Sequence, residues 1–549
     1  MSPGKSVLSS ARLIALCTLA SRITGLARDM LLSQTYGLAV VFDAFNYAFQ
    51  FPNLFRRLFG EGALAAAFVP VFTRAVENDG RQAAWQMLAR ALALLSVTLT
   101  AVIIVIELVL LAIWLFGPTG SPDALASRKL LLSLTGLMLP FMLTICMVAL
   151  FSSVLNCLGS FVPAALTPLI LNICMIIGIT LIGPRLGGPD QLDRQIFGVA
   201  SAVLAAGVLQ LVFLVPVLRR QGVALGWRLD TRDRHVRQVL GLMVPVLIGQ
   251  GVLILGPFLD TQICWLFSPQ RGPLSASWFG IAFDYPLREG ALSALTNAQR
   301  LYQFPLGVFA ISLAIAALPA LTRLANRDDW DGWAGELRQT LRLAAFVGVL
   351  TGSIMTVWSE PIVRMLFQYH RFDAHDTQRV AAIMFWYGFG LWAFCAQHIV
   401  LRGFYSLSDI RTPLLISCLM LPINLALSVT LIWLPSVRES AFAISSTITS
   451  TITVLVGLVL LQRRTHARLL RPALVWALAR MAAAGAAGAL LLRWAGPWLL
   501  APIRGHGPLW LGRAVETMGG LALGAVACLL LASLFGLPEP RLWLQRSRR

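Results

Sequence analysis

The sequence predicts an all-α protein that crosses a membrane many times. Of its 549 residues, 57% are hydrophobic and only 13% are charged, and the mean hydropathy is +0.75. Soluble domains carry about 25% charged residues, so no soluble core of this size would hide so much apolar surface. The apolar residues also gather into long runs between polar or Pro/Gly breaks. A lipid bilayer is the solvent that this pattern fits.

The apolar runs predict about fourteen helices. Each run is long enough to cross about 30 Å of hydrocarbon at about 1.5 Å per residue. The predicted spans are roughly 11–33, 40–74, 86–116, 129–157, 162–183, 196–218, 238–266, 291–324, 337–367, 379–406, 412–434, 441–462, 473–494 and 512–537.

Arginines between the runs predict the orientation. They collect in alternate loops, most densely in residues 219–237, and again in the basic tail 538–549. Because positive residues stay on the cytoplasmic side, we expect both termini in the cytoplasm. Segment 219–237 also contains Trp227 and Leu229, which indicates an amphipathic linker on the anionic inner leaflet.

Several function classes fit the sequence poorly. The net charge of +19 follows from the positive-inside rule, and no basic stretch is interleaved with stacking aromatics, so no nucleic-acid partner is expected. The chain has no P-loop, its six histidines form no metal-ligand motif, and its eight cysteines form no C-x-x-C pair. We therefore expect neither an enzyme nor a resident cofactor.

Two short motifs recur at nearly one offset. The pattern P-x-x-T-R at 70–74 returns at 319–323, and T-P-L at 167–169 returns at 412–414. Each pair lies six predicted helices apart, so both copies share one orientation, which predicts two six-helix lobes around a central cavity. The predicted parts are an N-lobe 1–218, the linker 219–237, a C-lobe 238–462, two extra helices in 463–537 and the tail 538–549.

Charged residues inside the first two predicted helices are the strongest functional signal. Each charge at mid-membrane costs at least ~2.5–3.5 kcal/mol, so these side chains must face protein or a water-filled interior. Arg22 and Asp29 are seven residues apart and share a helix face. The other members of the set are Arg28, Asp43, Asn53, Arg56, Arg57 and Glu61, of which Asn53, Arg57 and Glu61 step by four.

Two interpretations of these charges stay open. The arginines can line a cavity for a phosphate or carboxylate, which arginine binds in bidentate fashion. Alternatively, ion pairs such as Arg28–Asp43 and Arg57–Glu61 lock the helices together, a structural role that suits Asp29, Asp43 and Glu61. In the second lobe, Arg300 has no acid within a helical turn, and either binds substrate or reaches the membrane interface.

The motifs around these charges resemble the MurJ (MviN) family, the lipid II flippases of the MOP exporter superfamily. The resemblance rests on S-R-I-T-G-L-A-R-D at 21–29, F-P-N-L-F-R-R-L-F-G-E-G-A at 51–63 and A-F-V-P at 67–70. In the second lobe, R-L-Y-Q-F-P-L-G at 300–307 extends it. The resemblance spans at least residues 10–430.

The resemblance implies a substrate and a place in the cell. The substrate would be lipid II, undecaprenyl-diphosphate carrying a disaccharide-pentapeptide, moved to the outer leaflet of the bacterial inner membrane by alternating access. The extra C-terminal helices would form a groove for the lipid tail. A monomer working near cell-wall synthesis enzymes is expected. The family's cavity residues fall on Arg22, Arg28, Arg56 and Arg300, with Asn53 and Arg57 beside them.

Energy coupling by Na⁺ or by the membrane potential is a further expectation from the resemblance. The oxygens of Asp260, Asn424, Ser428 and Thr447 would suit a hard cation.

The sequence departs from the family pattern at two places. Gln299 stands where an acid is common, and residues 267–290 resemble an insertion on the outer side. The alternative function is another MOP-type exporter of lipid-linked oligosaccharide. A membrane scaffold without a substrate cavity is the alternative from a different class.

Overall fold

The computed structural model consists almost entirely of helices. It describes residues 3–117, 121–230, 233–271, 275–278, 281–500 and 509–540. These form two compact units, Met1–Tyr285 and Pro286–Arg549. Eleven helices in the described part of the chain are long and apolar enough to cross a membrane. The all-α membrane fold is therefore confirmed, while the count of fourteen crossings stays a prediction.

Within the described residues, the first unit contains nine α-helices and one pair of β-strands. They are α1 (Pro3–Tyr36), α2 (Val40–Phe55), α3 (Leu64–Arg74), α4 (Gly80–Phe116), α5 (Pro122–Cys157), α6 (Val162–Ile177), α7 (Gly183–Leu186), α8 (Leu192–Arg220), α9 (Arg234–Leu266), β1 (Ser275–Trp278) and β2 (Ile281–Asp284).

The second unit also contains nine α-helices. They are α10 (Ala291–Pro305), α11 (Ile311–Ala325), α12 (Trp330–Val357), α13 (Ser359–Phe367), α14 (Ala374–Ser406), α15 (Arg411–Leu431), α16 (Ala441–Thr465), α17 (Pro472–Leu500) and α18 (Leu509–Leu534), with a 3-10 turn at Arg438–Ser440.

Every predicted span coincides with helix, but several predicted single helices are interrupted. The span predicted at 40–74 contains α2, a π-helical segment Arg56–Ala63 and α3 without a break in the chain. Pro52 lies one turn before this segment and offers no N–H to the helical ladder, which favours the change of hydrogen-bond pattern. Further π segments are Ala75–Asp79, Gly178–Ile182 and Leu306–Ala310, of which the last follows Pro305 directly. The span predicted at 337–367 is broken at Trp358 into α12 and α13.

The recurring P-x-x-T-R motif adopts the same local contact in both units. The Nε of Arg74 donates to the carbonyl of Pro70 at 3.1 Å, and the Nε of Arg323 donates to that of Pro319 at 3.3 Å. The motif thus folds alike twice, as expected of an internal repeat.

The first compact unit extends beyond the predicted linker to include α9 and the hairpin. Aromatic and polar contacts tie α9 to α2: the Tyr47 hydroxyl donates to Gln262 Oε1 at 2.5 Å, and Phe51 packs edge-on against Phe258. The linker residues Gln221–Asp230 form no helix, and Trp227 is exposed. The predicted division into two six-helix lobes at 219–237 stays a prediction.

The predicted insertion at 267–290 contains the β-hairpin. Its strands pair antiparallel, with Ser275 opposite Asp284 and Trp278 opposite Ile281. At its start, Arg271 forms two bonds with the Asp193 carboxylate at 2.5 and 2.6 Å, which fixes the segment to the first turn of α8.

Candidate functional site

Arg28 of α1 is a buried arginine whose charge is compensated inside the first unit. Its Nε and Nη2 donate to Asp29 Oδ1 at 3.0 and 2.6 Å, and its Nη1 donates to Asn172 Oδ1 at 2.8 Å. The guanidinium also meets the sulfur of Met175 at 3.8 Å. A buried charge is tolerated only when it is paired and hydrogen-bonded, and Arg28 meets both conditions. The carboxylate that it contacts is Asp29, where the ion-pair interpretation had placed Asp43.

Asn172 of α6 connects this arginine to the backbone of α1. Its Nδ2 donates to the Ser21 carbonyl at 3.0 Å and approaches Thr24 Oγ1 at 3.4 Å. A Cβ on Gly25 would lie 3.3 Å from the same nitrogen, so the glycine permits the close approach of the two helices. Sequence reasoning missed Asn172 because it considered charged groups. The available signal was a single amide in the apolar run of α6.

Arg56 lies where α2 passes into the π segment. Its Nε and Nη2 both donate to Asn53 Oδ1, at 3.2 and 3.0 Å, so the two residues form a local polar unit. Arg56 and Arg57 are both half-buried. Glu61 lies outside the residues whose side chains the structure describes, so the predicted stripe is followed only as far as Arg57.

The remaining first-unit charges differ in exposure. Arg22 is exposed on α1, whereas Asp43 is buried on α2 with only 2% of its surface accessible. A fully buried carboxylate is costly without compensation, and the structural role predicted for Asp43 stays a prediction.

Arg300 belongs to α10 in the second unit and is exposed. Its neighbours attach α10 to α14: Gln299 Nε2 donates to the Tyr387 hydroxyl at 3.3 Å, and Tyr302 stacks on the Tyr387 ring at 4.4 Å. The departure at Gln299 therefore has a structural use, because a neutral amide can donate to the tyrosine oxygen whereas an ionised acid can only accept.

The residues proposed for a cation site are distributed over both units. Asn424 and Ser428 of α15 hydrogen-bond to hydroxyls of α16, Thr449 at 3.1 Å and Ser445 at 2.7 Å. Thr447 Oγ1 donates to the Trp386 carbonyl at 3.2 Å. In the first unit, Asp260 of α9 is buried, and its Oδ1 has no hydrogen-bond partner among the described residues. A cation at α15 would have to compete with the existing bonds between the two helices.

Asp409 lies in the loop before α15 and contacts both α15 and α16. It accepts from the Thr412 backbone N–H at 3.1 Å and pairs with Arg464 at the end of α16. Burial alone would raise the pKa of this carboxyl, but the Thr412 hydrogen bonds and the Arg464 charge together lower the pKa below its usual value. The contacts therefore connect the loop to α16.

Comparisons with known proteins agree on one family. The family model "Lipid II flippase MurJ" matches residues 32–501. A "Probable lipid II flippase MurJ" of Rhizobium tropici is 32% identical over 451 residues, covering 82% of this chain and 80% of that one. A protein of the same name from Vibrio cholerae serotype O1 is 30% identical over 554 residues, covering 97% of each chain.

Solved structures share the fold. "Lipid II flippase MurJ, inward closed conformation" superposes with a TM-score of 0.71 at 21% identity, covering 95% of this chain and 98% of that one. An inward-facing multidrug resistance MATE transporter of the MOP superfamily gives a TM-score of 0.64 at 12% identity, covering 82% and 98%. At these identities, the structural likeness is evidence of fold alone.

Proposed function

The chain belongs to the lipid II flippase MurJ family, and from that premise we propose that it moves lipid II from the inner to the outer leaflet of the bacterial cytoplasmic membrane. Transport would proceed by alternating access, with no chemical change to the lipid. The observation that carries the proposal is the set of arginines within membrane helices, of which Arg28 is buried and hydrogen-bonded to Asp29 and Asn172.

The exposed and half-buried arginines are the groups we assign to the lipid diphosphate. Arg22 is exposed on α1, and Arg56 and Arg57 are half-buried at the π segment, with the Asn53 amide beside them. Arginine offers several N–H donors in a fixed plane, which suits the neighbouring oxygens of a diphosphate. A cationic lining disfavours a cationic drug as substrate, and the family match does not favour the alternative of another lipid-linked oligosaccharide.

Arg28 has a more restricted part in this proposal. In this structure Asp29 and Asn172 occupy its donors, so its charge contributes to the local potential while its contacts hold α1 against α6. Direct contact with the substrate would require one of these bonds to open. Asp29, Asp43 and Glu61 are proposed as structural charges.

Arg300 is the proposed contribution of the second unit. It is exposed, and the stacked Tyr302 fixes its helix to α14. That it shares a cavity with the arginines of α1 and α2 stays a prediction.

The lipid tail is proposed to lie along α17 and α18. Both helices expose large apolar side chains, among them Leu490 and Trp494 on α17 and Leu530 on α18. They pack closely on their other side, since a Cβ on Gly488 would lie 2.4 Å from the Cys528 sulfur. The exposed apolar faces suit a long isoprenoid chain.

The test is transport in cells that depend on this protein. Arg22→Ala and Arg300→Ala are expected to abolish or greatly reduce outward movement of lipid II, measured by the accessibility of labelled lipid II at the outer surface. Arg323→Ala is the matched control, because Arg323 is an exposed arginine at the end of α11 whose hydrogen bond, in the part of the chain that the structure describes, goes to the Pro319 carbonyl of its own helix. Full transport by both variants at wild-type levels would refute the assignment.

Energy coupling, orientation and assembly complete the proposal. Transport would use a Na⁺ gradient or the membrane potential, and a monomer with both termini in the cytoplasm would work near cell-wall synthesis enzymes. Reconstituted protein should therefore lose transport when both gradients are removed. If Na⁺ is the ion, Asp260→Asn should abolish its effect.

A further inference from the structure

A basic cavity of about 400 Å³ lies inside the second unit, away from the residues assigned to transport. It forms where the first half of α12, the start of α17 and the chain just after α18 meet. Its lining includes Arg338, Arg342, Leu343, Arg471, Leu474 and Glu539.

The cavity carries an excess of positive charge. Among the described residues that line it, three are arginines and one is a carboxylate, which leaves two net positive charges. Glu539 is buried and pairs with Arg342 at 2.5 Å, so this pair is compensated internally. Arg338 and Arg471 act on each other as like charges, and the Nη1 of Arg338 donates to the Arg468 carbonyl at 2.7 Å. Asp331 lies seven residues before Arg338 on α12, on the same helix face, and acts on it as an opposite charge, although it is not among the residues that line the cavity.

Apolar side chains lie exposed beside this charge. Leu470 precedes Arg471, and Val475 and Trp476 follow it on the first turn of α17, all three exposed. Tryptophan and arginine together at the end of a membrane helix are typical of the level of lipid headgroups. Leu343 and Leu474 also line the cavity itself, so a ligand there would meet apolar side chains as well as arginines.

We propose that this cavity binds the phosphate of an anionic phospholipid such as phosphatidylglycerol. Arg338 and Arg471 hold the phosphate, and the acyl chains lie along Val475 and Trp476. Basic pockets between membrane helices recognise anionic headgroups in this way. The proposal uses none of the arginines assigned to the lipid II diphosphate, although its acyl chains would lie on α17, a helix that is also proposed to contact the lipid II tail.

The experiment measures retained lipid on the full-length protein. Purified protein in detergent is titrated with phosphatidylglycerol or with phosphatidylcholine, and bound lipid is counted by native mass spectrometry. We expect wild-type protein to bind phosphatidylglycerol more tightly than phosphatidylcholine. Arg338→Gln and Arg471→Gln should each lower the affinity for phosphatidylglycerol about fivefold. Arg323→Gln is the matched control and should leave binding unchanged.

A variant that should raise the affinity distinguishes an effect on lipid binding from misfolding. Glu539→Gln keeps a hydrogen-bond acceptor for Arg342 and removes the negative charge, so it should bind phosphatidylglycerol more tightly than wild type. Equal binding of the two lipids, or no loss in the double arginine variant, would overturn the proposal. So would displacement of the lipid by millimolar inorganic phosphate, since the site would then recognise free phosphate rather than a lipid.

Discussion

Asn172 should stabilise the first unit more than any other neutral polar residue on α6, because its side chain forms three hydrogen bonds. Substitution by leucine removes the oxygen that accepts from Arg28 and the nitrogen that donates to Ser21. The buried guanidinium then keeps Asp29 and the Met175 sulfur as its contacts. One of its nitrogens would lack an oxygen partner.

The expected cost is about 2–4 kcal/mol. A hydrogen bond to a charged group contributes about 1.5–3 kcal/mol, and the neutral bond to the Ser21 carbonyl adds about 0.5–1.5 kcal/mol. Interhelical bonds in membranes average about 0.6 kcal/mol, which favours the lower part of the range. Leucine does not recover this loss by better packing, since Gly25 already lies close to the side chain of residue 172.

The free energy of unfolding in mixed micelles is the measurement, made by denaturant titration. Asn156→Leu is the matched control, because Asn156 is an exposed asparagine at the end of α5 and should change stability by less than about 0.5 kcal/mol. Asn172→Leu combined with Arg28→Met should cost less than the sum of the two single changes, since the double variant no longer leaves a buried guanidinium nitrogen without an oxygen partner. Equal stability of the two leucine variants would refute the role given to Asn172.

Two further stability predictions follow from contacts in the second unit. Asp409→Asn should cost about 0.5–1 kcal/mol at neutral pH, because the amide oxygen still accepts from the Thr412 N–H but the charge that pairs with Arg464 is lost. Because the folded-state pKa of Asp409 is lowered, its contribution is complete above about pH 4 and disappears as the pH falls through the folded value, so unfolding of variant and wild type should converge in acid. Gly348→Ala should cost about 1–3 kcal/mol because its Cβ would lie 2.6 Å from the Cα of Trp392, whereas Gly335→Ala on the same helix meets nothing within 4 Å and should be neutral or stabilising. Equal Tm values for the two alanine variants would contradict the close helix contact.

Long apolar runs made the helices predictable, because the bilayer leaves the backbone no alternative to internal hydrogen bonds. The span predicted at 40–74 agrees with the observed helical stretch at its start, but the helix does not end at residue 74: it continues through a π segment, Ala75–Asp79, into α4. The π segments and the break at Trp358 were not predicted. These features depend on which N–H groups donate hydrogen bonds to the backbone carbonyls near a proline or a helix end. Hydropathy does not contain that information.

The sequence indicated which charged residues are buried, but it did not indicate which residues they contact. The cost of a charge in hydrocarbon identified Arg28 and Asp43, and both are buried. The partner of Arg28 on another helix is 144 residues away, so only tertiary packing brings Asn172 to it. Sequence spacing predicts contacts within one helix, and it therefore found the Asn53–Arg56 neighbourhood but missed the amide on α6.

The π segment at Arg56–Ala63 also restricts how the length of this chain can change during evolution. Downstream of it, Phe68 and Phe72 stack in the core with centroids 5.1 Å apart, and both are fully buried. Each residue added to or removed from an α-helix turns everything beyond it by about 100°, which would carry both rings away from their neighbours. A single-residue deletion inside the segment would therefore be harmful even if it spared every charged side chain. Relatives should tolerate substitution here more readily than insertion or deletion.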